Sequence, residues 1–425
     1  SLWSQSPGPA TPHEPRGTPP WANHPTLLPL LLNNRRAGDT TDTAESILPT
    51  ADRPAIPLDP SLVATPLDNH TTFGESIAFL YSGNHPVQTG VIAGTIDQGQ
   101  VSVVRGKVLA ADGQPLPGVT VQLFGHREYG QTTSRNDGLF DLAVNTGPLT
   151  VCFELPGYLP AQRQVNATWN DFTVLDDVVL LPMDNLVSTI DLNNSSEMQV
   201  AQGSPIGDDD GERRATLLFA PSTSAEMVLA DGSTRPLSTL NVRASEYTVG
   251  ETGAQAMPGD LPPASGYTYA VEFSVDEALS AGAVDVRFTR PVINYVENFL
   301  GFLVGTPVPT GYYDRGRSAW VPSDNGRVIS ILAIDGGLAM LDVNGSGQIA
   351  STQQLAALGI DQAEQQTLAE LYQPGQSLWR VPIPHFTPWD HNWPYGPPDG
   401  AIAPNAPYPQ PDPPQAEPCE RRGSL

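Results

Sequence analysis

Asp112-Gly113-Gln114-Pro115-Leu116-Pro117-Gly118-Val119-Thr120-Val121-Gln122-Leu123, followed by Asn136-Asp137-Gly138-Leu139-Phe140-Asp141-Leu142-Ala143-Val144, decides the fold. Pro115 and Pro117 stiffen a turn and Gly118 relieves it. Val119, Val121 and Leu123 then alternate with the two-residue period of a half-buried strand. Asn136-Asp137-Gly138 is a hairpin signal, because successive positive-φ positions match the twist of paired strands. Leu139–Val144 and Leu149–Phe153 flank a further turn at Thr146-Gly147-Pro148. Upstream, Val101, Val103 and Val108 alternate; downstream, Val174–Leu181 closes the unit. Short strands at this spacing predict a β-sandwich over residues 99–184.

Residues 185–340 repeat the style without repeating the sequence. Ala215–Phe219, Ala225–Leu229, Leu240–Ala244, Tyr267–Ser274, Val284–Phe288 and Val328–Ile334 read as strands of a second β domain. Residues 341–373 hold a turn and then the one helical stretch. Gly359 and Asp361 split that stretch, with Asp361 as N-cap of its second part. Residues 374–425 form a tail rich in proline and aromatic rings. Trp379, Phe386, Trp389, Trp393 and Tyr395 are too many rings to leave in water. Prolines 382, 384 and 388 remove amide donors, so the tail is expected to avoid central strand positions and to dock as an extended plug. At the other end, residues 1–75 show no apolar period and read as a disordered leader. Residues 76–98 read as a linker or docking strand. The fold class is therefore mainly β: tandem sandwiches, a short helical segment and proline-rich extended termini.

Composition narrows the function. The 425 residues carry 21 Lys and Arg against 46 Asp and Glu, a formal charge of −25. Lys107 is the only lysine. So acidic a chain repels phosphate backbones, which argues against nucleic-acid binding. Gly 39 and Pro 44 make about one residue in five, well above the usual share and suited to turn-rich β domains. Two distant cysteines, Cys152 and Cys419, make neither a disulfide framework nor a zinc cluster. No apolar run is long enough to span a membrane; Thr26–Leu32 is short and holds Pro29. The chain begins at Ser1 and is read as a fragment.

Three resemblances follow from these residues. Gly106-Lys107-Val108, the Asp112–Val121 run, Thr132-Thr133-Ser134, Asp137-Gly138-Leu139-Phe140 and Pro156-Gly157-Tyr158 resemble the carboxypeptidase regulatory-like domain. That is a transthyretin-like sandwich of the carbohydrate-binding-like fold, without peptidase machinery. Gly311-Tyr312-Tyr313-Asp314, Trp320–Gly326, Leu378–Pro382 and His385–Pro398 are similar to the region preceding the repeats of bacterial RHS/YD-repeat proteins. Residues 215–305 faintly resemble ZU5-like sandwiches. The RHS resemblance implies a non-catalytic, structural N-terminal region of a secreted or bacterial cell-surface protein of the polymorphic-toxin type. It would scaffold or plug a downstream YD-repeat shell in cis. A carbohydrate- or surface-binding module that takes a cell-surface glycan is the alternative. The resemblance also implies a cysteine where His391 stands, so Cys419 would be unpaired.

Candidate chemistry is sparse. Asp342-Val343-Asn344-Gly345-Ser346-Gly347-Gln348 has the spacing of a calcium loop, with Asp342, Asn344, Ser346 and the Gln348 carbonyl as ligands. Position twelve is Gln353, where a bidentate acid belongs, so an Asp/Asn/Gly-rich turn before a helix is the competing reading. Asp208-Asp209-Asp210 reads as a solvated loop. Asp390 and His391 are adjacent, and on an extended chain their side chains point oppositely, so they read as parts of an aromatic clamp. No nucleophile elbow, phosphate loop or zinc spacing is present. No catalytic residue is named and no cofactor beyond calcium is expected.

Overall fold

The computed structural model describes residues 56–57, 59–193, 196–262 and 266–392. The molecule is mainly β, with two sandwiches in series. In the first, Val101–Ala110 is flanked by Leu139–Asn145, antiparallel, and by Phe172–Val174 and Val178–Leu180, both parallel. The facing sheet runs Gln131–Thr133, Thr120–Leu123, Gly147–Glu154, Ala161–Ala167. Between them, Phe140 and Phe153 meet edge to face at 5.4 Å.

The Asn136-Asp137-Gly138 turn is not a hairpin. It carries the chain from Gln131–Thr133 in one sheet to Leu139–Asn145 in the other. Only Gly138 of the three takes a positive φ, 78°, and Asp137 Oδ1 accepts the Leu139 amide at 3.0 Å. The chain folds back only as far as Arg135 and Leu139, where the Arg135 amide donates to the Leu139 carbonyl at 2.9 Å, before the flanking strands part into different sheets.

The segment before the sandwich belongs to its core. Thr72 and Glu75 form a capping box on the short helix Phe73–Ile77. Ile77, Leu80, Val87 and Ile96 are buried with the sandwich interior. Residues 76–98, read as a linker or docking strand, form helical turns and a loop. Gln88 does the pairing with its side chain: its Oε1 accepts the Ala143 amide at 2.7 Å, and its amide group donates to the Tyr129 and Ala143 carbonyls.

The second sandwich packs a nine-stranded sheet on a six-stranded one. The long path of the first is Gln199–Gln202, Thr216–Phe219, Ala283–Glu297, Ser377–Phe386, Gly326–Asp335, Pro307–Val308. The second runs Ala319–Pro322, Gly311–Asp314, Pro388–Asp390, Ala270–Val275, Thr239–Glu246, Ser188–Asp191. Here the expectation for the tail is corrected, because both of its strands are central. Ser377–Phe386 pairs with Ala283–Glu297 and Gly326–Asp335, then the chain turns at Thr387 and Pro388–Asp390 enters the other sheet. The prolines are tolerated by position. The last pair with Gly326–Asp335 is Arg327↔Arg380, so Pro382 and Pro384 lie beyond it, with one neighbouring strand. Pro388 likewise lies outside the pairs made with Gly311–Asp314, which begin at Trp389. A missing amide costs little where no second partner waits for it.

Helices Thr352–Ala357 and Gln362–Leu371 cover the outer face of the large sheet. Asp361 caps the second helix, accepting the Glu364 amide at 2.9 Å. Glu364 and Arg380 then bind helix to sheet, with Nε–Oε1 at 2.7 Å and both side chains almost wholly buried. Tyr295 donates its hydroxyl to the same carboxylate at 2.6 Å.

Candidate functional site

The polar side chains with the most partners between domains lie on Ala161–Ala167, an edge strand of the first sandwich. Its sequence, Ala161-Gln162-Arg163-Gln164-Val165-Asn166-Ala167, has no apolar alternation, and pattern reading passes over it. An open strand edge offers unpaired amides to any other chain. Here the second sandwich takes them. Gln162 N donates to the Pro258 carbonyl at 2.8 Å, and Gln164 N to Asp260 Oδ2 at 3.1 Å.

The side chains continue the join. Arg163 donates to the Met257 carbonyl at 3.0 Å and the Gln255 carbonyl at 2.6 Å. Burial pulls its guanidinium below the usual range, against the pull of Asp260. Gln162 accepts from the Tyr313 hydroxyl at 2.9 Å and donates to the Arg315 carbonyl at 3.2 Å; Gln164 donates to the Ser318 carbonyl at 2.9 Å. Gly259 sits so close to Tyr313 that a Cβ there would overlap the ring. Burial pushes the Tyr313 phenol up to about 12, so it stays a hydrogen-bond donor.

An apolar patch backs this seam, and a half-buried ion pair of the second sandwich lies beside it. Leu159, Val179 and Leu181 of the first sandwich pack with Tyr247, Ala256, Met257 and Ala270 of the second. Beside them Glu272 accepts from the Tyr247 hydroxyl at 2.6 Å and from Arg315 at 2.6 and 3.2 Å. Burial, then the Glu272 charge, raises the Tyr247 phenol well above its ordinary value. Burial works against the Arg315 charge, but Glu272 and Tyr247 outweigh it and raise its pKa. Cys152 is buried, with the Gln162 amide group 3.6 Å from its sulfur. Burial pushes its thiol up to about 11, which leaves it without the thiolate a nucleophile needs. The seam is built for cohesion, with Gln162, Arg163 and Gln164 all engaged across it.

The residues singled out by sequence lie elsewhere. Asp342 is buried, and its carboxylate accepts the amides of Asn344 and Gly345 on one oxygen and of Gly347 on the other. Burial raises that carboxyl, but those amides outweigh it and hold it below the usual range. Asn344 and Ser346 turn onto the amides of Ser346 and Gln348, so the loop's side chains hold its own backbone. Among the described residues no three His, Cys, Asp or Glu are grouped to hold a metal ion. Asp208 is no free acid: it pairs with Arg213 at 2.7 Å, and Arg213 also meets Glu246. Trp379 and Trp389 are 0% exposed and Phe386 is 4% exposed, all inside the second sandwich's own core. Trp393, Tyr395 and Cys419 lie outside the described residues.

The comparisons with known proteins fall on the first sandwich. Residues 96–180, about a fifth of the chain, match the model of the teneurin TTR-like domain. Teneurin-3 of Danio rerio is 38% identical over 133 residues, which is 31% of this chain and 5% of that protein. Teneurin-3 of Mus musculus is 38% identical over 125 residues, and human Teneurin-1 is 36% identical over 101. The matched stretch spans about one-twentieth of these relatives' length. Among solved structures, a 3-chlorocatechol 1,2-dioxygenase from Rhodococcus opacus aligns over 22% of this chain and 63% of its own at 12% identity, with a TM-score of 0.18, too low to argue from.

These matches correct the RHS/YD-repeat resemblance: the chain is similar to animal teneurins, and not to a bacterial polymorphic toxin. The bacterial location, the downstream YD shell as partner and the surface glycan go with it. The aromatic tail gives a physical reason. Trp379 and Trp389 are spent on the interior of their own domain and have no face left to line a separate shell. No helix among the described residues is long and apolar enough to cross a membrane.

Proposed function

We propose that this chain is a non-catalytic, architectural region of a teneurin-type protein. In it a transthyretin-like sandwich and a second sandwich work as one rigid body. The observation that carries the reading is the sealed edge strand, whose amides and side chains Gln162, Arg163 and Gln164 are taken up by residues 255–260 and 313–318. Domains joined by a tether alone move independently by default; the buried Arg163 guanidinium, bonded to the Met257 and Gln255 carbonyls, and the apolar patch across the seam oppose that motion. The absence of catalytic work rests on the chemistry of the groups: the one cysteine of the described region carries an inert thiol, and Glu246, Glu272 and Glu364 are already paired with arginines.

Calorimetry tests this reading. The whole chain should unfold in one coupled transition. Arg163→Ala combined with Gly259→Val should split it in two, with the first sandwich melting separately. If the unaltered chain already melts in two independent steps, the rigid-body reading fails.

A further inference from the structure

The last described residues of the second sandwich hold an acid and a base whose use the seam does not explain. His391 closes the strand that begins at Pro388, and its amide donates to the Tyr269 carbonyl at 2.8 Å. Its ring lies parallel to Tyr269, centroids 5.7 Å apart and planes 8° apart. The residue is 0% exposed, and neither ring nitrogen has a hydrogen-bond partner; the Tyr269 hydroxyl has none either. Asn392 finishes the closure, its Oδ1 accepting the Thr268 and Tyr269 amides at 2.8 and 3.1 Å.

A neutral imidazole tolerates such a site at moderate cost, whereas an imidazolium with no acceptor does not. On the Tyr269 side the charged groups are Glu246, Arg213 and Glu297, with Glu246 and Arg213 paired to each other. Asp390 points to the opposite face of the strand, where Glu272 lies two register positions away, tied to Arg315. Asp390 has no cation: its partners are the Asn392 amide group at 3.1 Å and the Gly311 amide. Those two N–H donors favour the carboxylate, but burial without a cation outweighs them and favours the protonated form.

We infer that Asp390 and His391 form a compensated latch: closure of the tail strand requires a neutral histidine on one face and favours a protonated aspartate on the other, so mild acid leaves it shut. Burial lowers the His391 pKa to about 4 from its ordinary 6.5. The stability this gives is present above about pH 6.5 and is lost as pH falls towards 4. Burial raises the Asp390 pKa to about 6 from 3.8. The closed strand therefore gains stability as pH falls through 6, until the open form is protonated near 3.8. The two slopes have opposite signs over the same interval.

Amide hydrogen exchange at His391 and Tyr269, corrected for intrinsic rate, reads the latch in the full chain between pH 7 and pH 4. The unaltered protein should change its protection by less than about fivefold. Asp390→Asn should lose roughly a hundredfold on acidification, and His391→Phe should gain roughly a hundredfold, by linkage through a two-unit shift. His391→Gln provides a second non-titrating variant should the larger ring disturb packing. A flat profile in Asp390→Asn, or a hundredfold loss in the unaltered chain, overturns the inference.

Discussion

The two sandwiches are built from similar strands but close in different ways. The first completes itself within one short stretch. Its strands all lie between residues 101 and 180, where Val101–Ala110 takes its parallel partners from the domain's own last strands, and turns such as Asp137-Gly138 set where the chain crosses between sheets. The second is left open until its last strands arrive. Ala283–Glu297 waits for Ser377–Phe386, and Ala270–Val275 waits for Pro388–Asp390, more than a hundred residues away in the second case. Local turns can specify a domain of the first kind. A domain of the second kind depends on its C-terminal strands, whose Trp379, Phe386 and Trp389 rings complete the core between its two sheets.

The strongest test of that contrast is Trp379→Ala. The indole is 0% exposed, donates to Asn298 at 2.8 Å and touches Phe299, Phe302 and Tyr269. Its loss should cost the second sandwich about 3–5 kcal/mol and leave the first folded. Chemical denaturation followed separately in each domain would check this; equal destabilisation of both would erase the distinction.

Glu364→Ala comes next. It leaves Arg380 buried without its carboxylate and the Tyr295 hydroxyl without an acceptor, and should cost about 3 kcal/mol. Replacing both members of the pair by methionine should cost less, because no uncompensated charge remains. If the double replacement is worse than the single one, the pair contributes more than charge compensation.

Arg163→Ala acts on the seam and should cost about 1–3 kcal/mol, felt by both domains. Protease digestion of residues 255–260 should quicken in the same variant. Asp342→Ala is the mildest, at about 1–2 kcal/mol for three lost amide bonds, and it should be confined to the second sandwich. Millimolar calcium should not shift melting. A calcium-dependent rise abolished by Asp342→Ala would restore the cation reading of that loop.

Legibility followed the same divide. The strands at 101–110 and 120–123 announce themselves by apolar alternation, that at 139–145 by its apolar run after the Asp137-Gly138 turn, and Asp361 by its place after Gly359. Ala161–Ala167 does not, because a polar edge strand buried by another domain carries no period of its own. The central place of Ser377–Phe386 was equally hidden, because the prolines that argue against it fall just beyond the reach of the neighbouring strand.

By itself the sequence determined the β class, the turn at Asn136–Gly138, the split helix with its cap at Asp361 and the need to bury Trp379, Phe386 and Trp389. Those follow from short-range causes: side-chain period, φ preference, capping and ring hydrophobicity. Only the tertiary structure decided that the Asn136–Gly138 turn crosses between sheets, that the tail fills its own domain's core and that Gln162, Arg163 and Gln164 join the two sandwiches. Each of those depends on which distant segment arrives to accept an amide or cover a ring, and no local pattern encodes the identity of that partner.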